Sequence, residues 1–109
     1  MIKYINELIL TEKTEKKIEK IKKDIEDGKW FSRICLVIMS ENENDVFDII
    51  QLYNLRTAAS RYKDIVVLGI AENINAAIAL SSGLIDEYIN SEADKMYDSM
   101  RAYITDKYL

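Results

Sequence analysis

Asp45-Val46-Phe47-Asp48-Ile49-Ile50-Gln51-Leu52-Tyr53-Asn54-Leu55-Arg56-Thr57-Ala58-Ala59-Ser60-Arg61 decides the fold of this chain, because it stands between two strongly apolar runs, Phe31 to Met39 and Ile65 to Ile70. Its apolar residues recur at Val46, Ile49, Ile50 and Tyr53, with the small Ala58 and Ala59 beyond. That is the spacing of an amphipathic helix lying on a sheet. The flanking runs read as strands covered on both faces, the first being apolar at almost every position except Ser32 and Arg33. A strand, a helix and a second strand imply a right-handed crossover and parallel pairing.

Outward from this segment the same alternation continues. Four times an apolar run stops at a small residue followed by glutamate: at Thr11-Glu12, Ser40-Glu41, Ala71-Glu72 and Ser91-Glu92. Thr and Ser suit a helix N-cap, and a carboxylate in the first turn opposes the positive end of the macrodipole, so each junction reads as a strand-to-helix crossing. In Ile2 to Leu10 the residues Ile5, Leu8 and Ile9 suit a helix face, whereas Tyr4, the short Leu8-Ile9-Leu10 run and the abrupt Thr11 suit a strand, and a short first strand is the expectation. Glu12 to Asp27 reads as a helix with Ile18, Ile21 and Ile25 in one stripe, opposite charges four apart, and Gly28 as the residue past its end. Asn73 to Ser82 reads as an alanine-rich helix ended by Gly83. Leu84 to Ile89 reads as a fourth strand, placed at an edge by Asp86 and Glu87. Glu92 to Leu109 reads as a last helix with Met96, Met100 and Ile104 in register and Tyr97 and Tyr103 beside them.

These elements predict one α/β domain over residues 1–109. The expected fold is a small three-layer (βα)4 sandwich around a four-stranded, mainly parallel sheet in the flavodoxin-like order 2-1-3-4. Four strands leave two open edges, and an exposed Phe31 to Met39 strand would call for a homodimer that covers it, or one that uses the tyrosine-rich last helix.

Composition narrows the chemistry. The chain has 109 residues, 49% of them hydrophobic, enough for one core. It has no histidine, which removes the usual general base and the commonest metal ligand. Cys35 is the only cysteine and sits inside an apolar run, so no internal disulfide forms and a buried inert thiol is expected. With no proline and three glycines there is no phosphate-cradling glycine loop. Net charge is −4, and the eight lysines of residues 1–30 are interleaved with seven acids, which reads as a solvated helix face and offers nucleic acid no general attraction. No run is long enough for a membrane span and no signal-peptide core opens the chain, so a cytoplasmic protein is expected.

The stretch from Ile65-Val66-Val67-Leu68-Gly69-Ile70-Ala71 through Ala79-Leu80-Ser81-Ser82-Gly83-Leu84-Ile85 to the closing helix resembles the last elements of response-regulator receiver domains, over fewer than half of the residues. A receiver carries a phosphoacceptor Asp after its third strand and a Lys-Pro after its last. Here the last expected strand ends Asn90-Ser91 and no Asp stands at a matching strand end, so the resemblance implies a fold and not phosphotransfer. As a whole, the Lys- and Ile-rich first helix, the turn Ser40 to Asp45 and the strand Val67 to Ala71 are similar to small α/β proteins of Gram-positive bacteria. That likeness implies no activity and no residue role.

Two functions follow as expectations. The first is a non-catalytic interaction or accessory module, a homodimer or the partner of another protein, acting through the apolar edge strand and through Tyr97, Tyr103 and Tyr108. The second is a small-ligand or divalent-cation site at the carboxyl edge of the sheet, where open α/β folds bind ligands, built from Glu41, Asn42, Glu72 and Asn73. Neither reading assigns a catalytic residue, a metal ligand or a cofactor.

Overall fold

A computed structural model of the chain describes residues 2–30, 32–40, 46–57 and 64–108, without the side chains of Asn6, Asp94 and Tyr108. The described strands are β1 (Ile2–Leu10), β2 (Cys35–Met39), β3 (Phe47–Gln51) and β4 (Ile65–Ala71). The helices with defined bounds are α1 (Glu12–Glu15), α2 (Ile18–Glu26), α3 (Ile74–Asn90) and α4 (Met100–Tyr108). The described strands lie in the order β1-β4-β2-β3. β1 and β4 are parallel, whereas β2 runs antiparallel to both of its neighbours.

The sheet is therefore mixed and mostly antiparallel, which corrects the mainly parallel, flavodoxin-like (βα)4 expectation. Two segments account for the difference. Within Asp45 to Arg61, residues Phe47–Gln51 form a strand that folds back on β2, pairing Met39 with Phe47 and Cys35 with Gln51. The Ser40 amide donates to the Val46 carbonyl at 2.9 Å where the two strands turn. Phe47 and Ile49 pack on one face of the sheet and Ile50 on the other. Over so few residues the apolar spacing fits both helical and strand periods, and pairing with β2 settles it, because β2 is apolar along its length. A 3-10 turn at Leu52–Asn54 follows, and residues 55–57 are helical.

The second segment is Leu84 to Ile89, which is not a strand. α3 runs through it without a break, and a Cβ at Gly83 would meet nothing within 4 Å, so the glycine neither turns the chain nor permits a close approach. Ser91-Glu92 then closes a helix instead of opening one. The Glu92 amide donates to the Ile89 carbonyl at 3.1 Å, and Glu92 itself is left-handed at φ 58°.

Helices cover both faces. Cys35, Val37, Leu68 and Ala71 point to one side, where Ala77 and Leu84 of α3 and Met100, Tyr103 and Ile104 of α4 bury them. Leu36, Ile38, Val67 and Ile70 point to the other, under Ile21 and Ile25 of α2 with Leu52 and Leu55. The α2 stripe is the one its sequence spacing predicts, and Gly28, left-handed at φ 73°, lies just past its end. Val37 pairs with Gly69 but Ile38 pairs with Val67, so Leu68 is an extra residue in β4. This bulge turns Gly69 toward β1 and α3, where a Cβ would stand 2.7 Å from the Ile9 carbonyl oxygen and 3.5 Å from Leu80.

Candidate functional site

Among the described strands only β1 and β4 end together at a parallel carboxyl edge, and the chemistry there is a brace between two strand-to-helix corners. Thr11 caps α1 and shares a capping box with Thr14. The Thr14 hydroxyl donates to the Ile70 carbonyl at 2.8 Å, which ties the corner after β1 to the end of β4. The Thr11 hydroxyl donates to Glu72 Oε2 at 2.5 Å. Asn73 caps α3, its side chain accepting from the Ala76 amide at 2.8 Å.

The Thr11 hydroxyl and its own backbone amide hold the Glu72 carboxyl below the usual range. A carboxylate stabilised in its charged form by donors is a weak proton acceptor, so this geometry favours bracing over acid–base work. Among the described residues no three His, Cys, Asp or Glu side chains gather in a way that could hold a metal ion.

Of the expected ligand site, the described Glu72 and Asn73 stand on this edge, and Ser40, the last described residue before Glu41, does not. Because β2 is antiparallel to β4, with Cys35 beside Ala71 and Ile38 beside Val67, the chain leaves β2 at Ser40 on the opposite edge from Glu72 and Asn73. Glu41 and Asn42 themselves lie outside the described residues.

The expected interaction surfaces move as well. β2 lies inside the sheet between β4 and β3, so the apolar strand presents no open edge. Tyr103 is buried at the centre of an aromatic group, 5.3 Å from the Tyr88 ring and 5.5 Å from the Tyr97 ring. Lys107 reaches the Tyr103 hydroxyl at 3.1 Å and Glu87 at 2.5 Å. The Tyr97 hydroxyl donates to Asp106, and that bond to a carboxylate raises the Tyr97 pKa. These side chains pin α4 to α3. The side chain of Tyr108 lies outside the described ones.

Exposed apolar surface is found instead on the outer side of α3. Ile74, Ile78, Ile85 and Ile89 are exposed by 45%, 50%, 41% and 55%. At 100° per residue they fall within an arc of about 60°, centred about 100° around the helix from the buried Ala77 and Leu84. α3 is thus apolar on two sides while only one is covered by its own chain. The signal was present in the sequence, since the i, i+4 spacing of Ile74 and Ile78 repeats at Ile85 and Ile89 across Gly83.

Two concave features also lie on the described surface. A groove of about 450 Å³ runs between β1 and α3, lined by Ile9, Ala79, Leu80, Gly83, Leu84 and Glu87. On the far side a pocket of about 370 Å³ is lined by Gly28, Trp30, Tyr53, Arg56 and Thr57, with the Arg56 guanidinium 6.0 Å from the Trp30 ring centroid. Cys35 is fully buried, and burial pushes its thiol pKa up, as expected of an inert core residue. No helix among the described residues is long and apolar enough to cross a membrane. The chain matches no protein-family model, no curated protein and no solved structure.

Proposed function

We propose that this chain is a non-catalytic interaction or accessory module of the cytoplasm that docks on another protein surface through the outer face of α3. The observation that carries the reading is the row of four isoleucines, each about half exposed, on a helix whose adjoining side already serves the core. A helix apolar on more than one side is ordinarily buried on each of them, and contiguous exposed apolar surface marks an interaction site. Glu72 supports the same view, because the carboxylate at the parallel edge is committed to Thr11.

The test is site-specific photo-crosslinking in the native host, with the probe at position 78 and a control probe at exposed Lys20 on α2. Position 78 is expected to give adducts of discrete mass that Lys20 does not. Equal, diffuse labelling from the two positions would contradict the reading.

A further inference from the structure

We propose that the surface docked on α3 is the α3 of a second copy of this chain, running antiparallel about a twofold axis that passes between Ser81 and Ser82. The inference rests on the interaction reading above and names its partner. The isoleucines are symmetric about that midpoint: Ile78 and Ile85 stand equally far from it on either side, and so do Ile74 and Ile89. An isologous interface requires residue i to meet residue j and j to meet i. In an antiparallel pair centred there, Ile78 meets the level of Ile85 of the partner subunit, and Ile74 that of the partner's Ile89. Such a row spans about 22 Å of helix at 1.5 Å per residue.

The centre and the flanks agree with this arrangement. Two serines at the midpoint let the helices approach closely, and the Ser81 hydroxyl already donates to the Ala77 carbonyl at 3.1 Å, so it can be covered without losing its bond. The first turn of α3 carries no acid, and the charged residues of the helix, Asp86 and Glu87, lie in its second half. Antiparallel pairing brings the exposed Asp86, on the flank of the isoleucine row, to the level of position 77 in the first turns of the partner's α3, near the positive end of the macrodipole.

Ile78→Cys and Ile85→Cys, each in a Cys35→Ala background, are mixed in equal amounts, allowed to exchange under reducing conditions and then mildly oxidised. The expected product is the disulfide joining position 78 to position 85, well above the share that random pairing yields, resolved by mass spectrometry of the cleaved peptides. Ile78→Asp, its helix content checked by circular dichroism, is expected to sediment as a single chain. Predominance of 78–78 and 85–85 disulfides would overturn the antiparallel pair. Absence of interchain disulfides, with a single-chain mass for the unsubstituted protein, would overturn the second copy. Crosslinks from position 78 to a different protein would then leave the interaction reading standing.

Discussion

The Cβ position of Gly69 stands 2.7 Å from the carbonyl oxygen of Ile9, a backbone atom of the neighbouring strand. The bulge at Leu68 makes this contact, and β1 answers with its own irregularity between Tyr4 and Ile9. Gly69→Ala is therefore expected to force the two strands apart and destabilise the fold by about 1–3 kcal/mol. Gly83→Ala is the opposite case. Gly83 lies inside α3 with nothing near it, so alanine is expected to stabilise by about 0.5–1 kcal/mol. Urea unfolding of both variants checks the pair, and equal effects would refute the account of the bulge.

The Thr11–Glu72 bond carries a pH signature. Glu72 has a folded pKa below that of the unfolded chain, so its contribution is present above about pH 4.3 and is lost as pH falls through the folded value. Glu72→Gln is expected to be less stable than the unsubstituted chain near pH 7, with the gap closing below pH 4. Thr11→Val should cost about 1 kcal/mol through the lost cap and leave Glu72→Gln with little further effect. Thermal unfolding between pH 3 and pH 7 measures both, and a pH-independent gap would dismiss the brace.

Tyr4 places its hydroxyl in the core without a hydrogen-bond partner among the described residues. Burial, reinforced by the nearby Glu26 charge, raises its pKa. Tyr4→Phe is expected to leave stability unchanged or to raise it by up to about 1 kcal/mol, since the phenyl ring keeps the packing and removes an unpaired polar group. The raised pKa gives a contribution fully present below about pH 10 and lost as pH rises through the folded value. The advantage of the variant should therefore widen in alkali, as chemical denaturation at pH 8 and pH 11 would show. A clear loss of stability on substitution would mean that the hydroxyl is satisfied.

Much of the chain was legible from periodicity. The Ile18, Ile21 and Ile25 stripe, the left-handed Gly28 and the doubly buried β2 all follow from local pattern, whereas Ile2–Leu10 fits a helix face as well as a strand and is settled by its pairing with β4. Strand direction was not legible, because it turned on Phe47–Gln51, where five residues satisfy two periods and only the pairing with β2 selects one. Leu84 to Ile89 misled for a different reason. With isoleucines outward and Leu84 inward, the second half of α3 shows apolar residues on two sides, as a buried strand does, and Gly83 looked like a stop. The candidate site inherited both errors. Reversal of β2 separated Ser40 from Glu72, and restoring α3 to its full length revealed the isoleucine row.

Sedimentation equilibrium of the unsubstituted chain, from low micromolar to hundreds of micromolar, tests the central claim most directly. The account predicts a mass rising to twice the 12.6 kDa of one chain, and a return to the single-chain mass in folded Ile78→Asp and Ile85→Asp. A single-chain mass at every concentration, or a dimer that both aspartates leave intact, would contradict it.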